Sequence, residues 1–345
     1  MRAKNWRIGL FVAVLATWAS SSSEAASEQF YQGKTIRFVV GFGAGGGFDT
    51  YTRVIARHIG RHIPGNPTTI VENMTGAGSL IAANHVFSAA KPDGLTIGNF
   101  IGPVVLQQAL GNPAAKFDGR QFGWLGAPTG DSVVCALTRA SGIKSADDWF
   151  ASKRPIKIGG TGAGSTTVDV PKIVAAAITL PMEVIAGYKG TSDVRLAAES
   201  GEVDGGCWAW ESIKPTWGKA IEAGDVNVVL QTTLESHPEL KHVPVAVKYA
   251  KTQAGRELLN IVDGPYGRMA RPYSVPPGTP KDQLELLREA FMATLKDAEF
   301  LSEAHKSKLE INAIDGATID KMIADVYKIS PELRAQLRPI VLPGK

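Results

Sequence analysis

The sequence predicts an α/β fold in two lobes, with mostly parallel sheets covered by helices and a ligand cleft between the lobes. Three observations lead there. Short apolar strands alternate with segments of helical periodicity along most of the chain, the signature of parallel sheets covered by helices. Two strand-to-helix junctions, far apart in sequence, are glycine-rich: Gly41-Phe42-Gly43-Ala44-Gly45-Gly46-Gly47 and Gly159-Gly160-Thr161-Gly162-Ala163-Gly164-Ser165. Behind a leader segment the chain keeps about 320 residues, more than one compact core usually holds.

The first alternation opens with strand Ile36–Val40 and continues, after its glycine turn, with Tyr51, Val54, Ile55, Ile59 and Ile63 at helical spacing. Thr68–Val71 reads as the next strand, Leu80–Ala90 as a helix, and Leu95–Ile97 as a third strand set off by the turn signal Pro92-Asp93-Gly94. The second alternation runs through strand Val133–Leu137, helix Ser145–Ala151, strand Ile156–Ile158, helix Thr166–Ile178, strand Met182–Ile185, helix Ser192–Glu199 and strand Val203–Cys207. Strand Val226–Leu230 leads back. A long helix follows the proline-punctuated stretch Pro272–Pro280, with Thr279 as its expected N-cap, Pro280 at its first position, and Leu284, Leu287, Phe291 and Leu295 as its core stripe. The division expected is 26–125 plus 232–345 for lobe 1 and 126–231 for lobe 2.

The leader is residues 1–25. Arg2, Lys4 and Arg7 precede an apolar run, Ile8–Ala19, and Ser23 and Ala25 supply the small residues of a cleavage site. The run is shorter than the roughly 20 residues a spanning helix needs. A secretory signal peptide and a periplasmic location are expected. The formal charge is +4, from 37 basic and 33 acidic residues, and removing the leader lowers it to 34 − 32 = +2. So weak a balance, without interleaved basic and aromatic residues, excludes a nucleic-acid partner. A monomer is expected. Cys135 and Cys207 are the only cysteines, and they either pair or remain two buried thiols.

Unpaired N–H groups and the positive end of a helix dipole face whatever lies in front of a glycine-turn-to-helix junction. A carboxylate or phosphate is the expected guest, bound from both lobes. Two other chemistries compete. Gly41, Gly43 and Gly46 match the dinucleotide fingerprint, with Glu72 at the end of the next strand, which suggests an NAD-dependent oxidoreductase. Against it stand the 26-residue gap from Gly46 to Glu72, the exported location and a second turn with no role. His58 and His62 have zinc-ligand spacing, but Ile59 stands where the motif glutamate belongs, so a solvated helix face is expected and no metal. Ser165 lacks the hydrolase elbow, and no catalytic residue is assigned.

Several segments, in order, resemble a known family. Val40–Asp49 looks like V-P-F-P-A-G-G-x-x-D, Val71–Gly78 like V-E-N-R-P-G-A-G, and Ala89–Ile97 like A-x-A-x-P-D-G-Y-T-L. Gly162-Ala163-Gly164-Ser165, Gly187-Tyr188-Lys189-Gly190 and Ser200–Asp204 also fit. The chain thus resembles the extracytoplasmic solute-binding proteins of tripartite tricarboxylate transporters, the TctC or Bug group. Gly41 and Gly43 replace the usual prolines, so the dinucleotide fingerprint arises inside a different motif. Met74-Thr75 replaces Arg-Pro, and Phe48 is bulkier than the usual residue.

The resemblance implies a periplasmic-binding-protein-like clamp that takes a mono-, di- or tricarboxylate, needs no cofactor, and delivers its ligand to integral-membrane transporter subunits or presents it to a membrane sensor. It implies first-lobe contacts at Ala44, Gly45, Gly46, Gly47, Phe48 and Asp49. Second-lobe contacts fall at Gly162, Ala163, Gly164, Ser165, Thr166, Tyr188, Lys189, Gly190 and Thr191. Asp49 either shapes the turn through backbone donors or caps the helix. Lys189 either pairs with a second ligand carboxylate or is solvated. Trp208, with Trp210 and Trp217, either walls the cleft or packs the core.

Overall fold

A computed structural model describes residues 30–342; the expected leader lies outside them. The first lobe is built from β1 (Thr35–Val40), α1 (Gly47–Ile59), β2 (Thr68–Asn73), α2 (Leu80–Ser88), β3 (Thr96–Asn99), α3 (Val104–Ala109) and β4 (Gly123–Ala127). The second holds β5 (Val133–Thr138), α4 (Ala146–Phe150), β6 (Ile156–Gly160), α5 (Thr166–Ile178), β7 (Met182–Ala186), α6 (Thr191–Glu199), β8 (Gly205–Ala209), α7 (Trp210–Glu222) and β9 (Val226–Gln231). The chain continues through α8 (Gln253–Ile261), β10 (Tyr273–Val275), α9 (Lys281–Thr294), α10 (Ala298–Lys306), β11 (Ile314–Asp315), α11 (Gly316–Val326) and α12 (Pro331–Val341).

The first sheet has the order β11-β4-β10-β3-β1-β2 and the second β7-β6-β8-β5-β9. Both are mixed, with four of the six and four of the five strands running one way, which agrees with the expectation of mostly parallel sheets. The pairs β1/β2, β1/β3, β6/β7 and β6/β8 are parallel. β5 and β10, the strands that bring the chain in from the other lobe, run antiparallel to both neighbours. Strands joined by helical crossovers stay parallel, whereas a strand arriving from across the cleft is free to run the other way.

Register places the two turns. Val40 pairs with both Asn73 and Asn99, so three strands end together where the first glycine turn leaves β1. Gly160 pairs with Ala186, so the second turn leaves β6 beside the loop that leaves β7. Both turns therefore stand at carboxyl ends of strands, where open α/β sheets bind ligands.

Three local expectations need correction. Thr279 does not cap α9: Pro280 occupies the N-cap position and Thr279 Oγ1 donates to the Pro276 carbonyl in the preceding turn, 2.8 Å away. Helix α7 was not anticipated, because Pro215 and its tryptophans mask its helical spacing. Residues beyond 232 also stay with the second lobe for longer than expected. Gln231 Nε2 donates to the Leu240 and Val243 carbonyls, and α8 packs so closely on α5 that a Cβ on Gly255 would stand 2.5 Å from the Ala177 carbonyl oxygen. The first sheet is rejoined only at β10.

Cys135 and Cys207 face one another across β5 and β8 and form a disulfide, both side chains fully buried. No helix among the described residues is long and apolar enough to cross a membrane.

Candidate ligand site at the lobe interface

A narrow cavity between the lobes is lined by Phe42, Gly46, Gly47, Phe48 and Ile101 from the first lobe and by Thr161, Ser165, Thr166, Thr167, Thr191, Trp208, Ala209 and Ser212 from the second. Asp131 and Arg271, on the two segments that cross between lobes, complete it. The closed part of the cavity is about 30 Å³, enough for roughly two waters.

In the first turn, Gly46 is the N-cap of α1, which leaves the N–H groups of the helix's first turn without intrahelical acceptors. Asp49 lies within that first turn and folds back to accept from Gly45 N–H at 2.9 Å, Arg53 Nε at 2.9 Å and Asn73 Nδ2 at 2.9 Å. Burial pushes its pKa up, but the bonds from Arg53, Gly45 and Asn73 outweigh that and hold the carboxyl below its usual value. Asp49 therefore shapes the turn and is not the cap. Gly45 has spent its N–H on Asp49, and Ala44 is exposed, its carbonyl accepting from Ser192 Oγ at 3.2 Å; neither lines the cavity.

The second turn repeats the device with different spacing. Gly164 N–H donates to Asp169 Oδ1 at 3.1 Å, and the Ser165, Thr167 and Thr161 hydroxyls bond one another. Thr166 Oγ1 is buried with no partner among the described residues. Ser165 and Thr166 line the cavity; Gly162, Ala163 and Gly164 meet the first lobe instead. At the β7–α6 junction only Thr191, the first residue of α6, lines it; the loop before it does not. Tyr188 turns its hydroxyl to Glu202, 2.5 Å away, and exposed Lys189 borders a separate groove of about 150 Å³ with Gly41, Phe42 and Thr161. Trp208 is both wall and core: it lines the cavity, its ring stacks on Trp217 at 5.4 Å, and its Nε1 is buried and unpartnered.

Several glycines of the turns face the opposite lobe across the closed cleft. A Cβ on Gly47 would stand 1.8 Å from Ser212 Oγ, and one on Gly46 3.2 Å from Thr191 Oγ1. Elsewhere main chain meets main chain: a Cβ on Gly162 would lie 2.7 Å from Gly78 N, one on Gly78 2.8 Å from the Ala163 carbonyl oxygen, and one on Gly190 3.2 Å from Gly43 N. Gly43 N–H donates to the Lys189 carbonyl across the cleft at 3.1 Å. That loop is hydrogen-bonded to the first turn, and Glu72 is half exposed and paired with Arg37 at 3.5 Å, so the dinucleotide reading gains no support. His58 is not on a solvated face. It is buried and bonded to Glu303 of α10 at 2.6 Å, and His62 pairs with Asp297 at 3.2 Å.

Sequence reasoning missed Arg271. Its guanidinium is fully buried, bonded through Nε to Asp131 and through Nη2 to Ser212 Oγ at 2.7 Å, and lies over the rings of Phe48 and Tyr51 at 5.0 and 4.8 Å. Nη1 has no partner among the described residues. Burial pulls the Arg271 pKa down, but Asp131, Tyr51 and Glu211 outweigh it, so the charge is kept. The only signal in the sequence was an arginine within an apolar, proline-flanked stretch, Ala270-Arg271-Pro272.

One buried carboxylate sets a pH dependence. Burial pushes Asp169 up to about 6 against bonds from Tyr266, Gly164 and Gln107. It holds its proton to higher pH folded than unfolded, so its stabilisation is complete below about 4 and is lost as pH rises through the folded value. The melting temperature is therefore expected to fall from pH 5 to pH 8 by about 3 °C or more, and Asp169→Asn to flatten the slope. A level calorimetric profile over that range would mean that Asp169 is ionised throughout.

The model for the tripartite tricarboxylate transporter family receptors, TctC, matches residues 52–336. The UPF0065 protein in the gbd 5′ region of Cupriavidus necator is 25% identical over 342 residues, 93% of each chain. Among solved structures, the periplasmic binding protein BugD superposes with a TM-score of 0.74 at 20% identity, covering 91% of this chain and 100% of its own. MatC from Rhodopseudomonas palustris with bound malate gives 0.70 at 19%, covering 89% and 99%, and another R. palustris protein with adipate gives 0.70 at 18%, covering 90% and 99%. These likenesses show the two-lobed clamp fold. From the family match across most of its length, the chain belongs to the tripartite tricarboxylate transporter family receptors.

Proposed function

We infer that the chain is an exported, monomeric, non-catalytic receptor that captures a small organic carboxylate between its lobes and delivers it to integral-membrane transporter subunits. One observation carries this: two helix N-termini, one per lobe, meet at one cavity beside a buried guanidinium N–H that lacks a partner. Free N–H groups, helix dipoles and a fixed cation all favour an anion. The malate and adipate held by two similar proteins belong to the same chemical class. On this reading the binding set is Gly46, Gly47, Phe48, Ser165, Thr166, Thr191, Trp208 and Arg271, while Lys189 stays outside. The second lobe boundary moves from residue 232 to about residue 272, supported by the packing of α8 on α5.

A thermal-shift screen of residues 26–345 over mono-, di- and tricarboxylates, aromatic acids, NAD and NADP tests the reading. A carboxylate at 100 times its Kd should stabilise the fold by roughly 2.7 kcal/mol. A response to NAD or NADP with none to any carboxylate would overturn it. Export is checked by the mass of the periplasmic form, expected to lack residues 1–25.

A further inference from the structure

The ligand's charge can be counted from the lining. Arg271 is the one cationic side chain on the cavity wall among the described residues, and Asp131 the one anionic side chain; the two are bonded to each other. Three of the guanidinium's nitrogens face three different neighbours. Nε is taken by Asp131 and Nη2 by Ser212, whereas Nη1 faces cavity-lining Gly47, 3.2 Å from the place a Cβ would occupy, and is unpartnered. The rings of Phe48 and Tyr51 hold the group in position, so its free N–H is oriented before a ligand arrives.

We propose that the ligand is a monocarboxylate with an uncharged, apolar body, its carboxylate on Arg271 Nη1 and its body against Phe42, Phe48, Ile101 and Trp208. This rests on the carboxylate-receptor reading and adds the number of charges. A carboxylate oxygen supplies the strong, charge-assisted acceptor that Nη1 lacks. Thr166 Oγ1 and Trp208 Nε1, the other unpartnered polar atoms on the wall, are neutral and suit the second carboxylate oxygen or an uncharged acceptor. A second carboxylate would find no cation. Lys189 is exposed and borders the separate groove that shares only Phe42 and Thr161 with the cavity. Burying a charge without a partner is costly, and the lining would reject it.

Titration calorimetry on residues 26–345 with acetate, butyrate, benzoate, benzamide, malate and adipate decides the matter. The best monocarboxylate is expected to bind at least about tenfold more tightly than either dicarboxylate, and benzoate about 100-fold more tightly than its neutral amide. Arg271→Gln combined with Asp131→Asn removes both bonded charges together. It should shrink the benzoate-to-benzamide ratio to about threefold or less. Lys189→Ala should leave monocarboxylate affinity unchanged. Tighter binding of adipate or malate, weakened by Lys189→Ala, would overturn the single-charge proposal while leaving the receptor reading intact. An unchanged benzoate-to-benzamide ratio in the double variant would remove Arg271 as the anchor. Silence with every carboxylate would sink the receptor reading itself.

Discussion

Gly47→Ala is expected to weaken carboxylate binding by about 100-fold, or ~2.7 kcal/mol, with both lobes still folded. The added Cβ would stand 1.8 Å from Ser212 Oγ, 2.7 Å from Ser212 Cβ and 3.2 Å from Arg271 Nη1. Rotation could move the hydroxyl, at the expense of its bond to Arg271, but Cβ is fixed to α7 and moves only with the second lobe. The clash exists only across the closed cleft, so the first lobe alone tolerates it. There the change is neutral or favourable, because alanine is the better helix former and residue 47 is the first residue of α1. Gly45→Ala is the contrasting case. Gly45 has φ +75° with nothing within 4 Å of its Cβ position, so the variant should lose about 1 kcal/mol of stability to backbone strain and little affinity. Calorimetric affinities and melting curves of both variants check this. Normal affinity in folded Gly47→Ala protein would show that binding does not require the lobes to approach this closely.

Replacing Cys135 and Cys207 together by alanine should cost about 4 kcal/mol and lower the melting temperature by about 10 °C. The bond closes a loop of 72 residues that includes β6, α5 and β7, and its removal returns that conformational freedom to the unfolded chain. Both sulfurs are fully buried, so a reductant reaches them only through unfolding, and the double substitution is the cleaner test. Ligand affinity well below the lowered melting temperature should survive, because register still holds Trp208 opposite Val134. An unchanged melting temperature would mean that the cysteines do not pair.

The fold was legible where periodicity was strong. Thr166–Ile178 has the limits the sequence indicated, and eight strands were located to within a few residues. Three were not: β4, whose Gly-Trp-Leu-Gly-Ala sequence shows no alternation, and the short β10 and β11, in which two or three residues carry no pattern to read. The site was half legible. Glycine turns before helices announce N–H groups facing outward, so Gly46, Gly47, Ser165 and Thr166 could be found. Residues chosen by adjacency within a motif, such as Ala44, Gly45, Tyr188 and Lys189, diverged, because consecutive loop residues face different ways. Asp131 and Ser212 gave no signal, and Arg271 gave only its apolar, proline-flanked setting. They lie on crossing segments and on α7, and only the folded chain brings residues 131, 212 and 271 together.

The seam at the cleft also fixes which errors this gene can repair. Gly47 faces a side chain, and a second change at Ser212 to glycine would open the space that an alanine at 47 needs. Gly78 and Gly162 face peptide atoms of the opposite lobe at under 3 Å, and no codon change trims a peptide group. Loss of a glycine there has no compensating partner to be found. These positions answer only to true reversion, so substitutions along one short seam divide into suppressible and insuppressible classes by what stands across the gap.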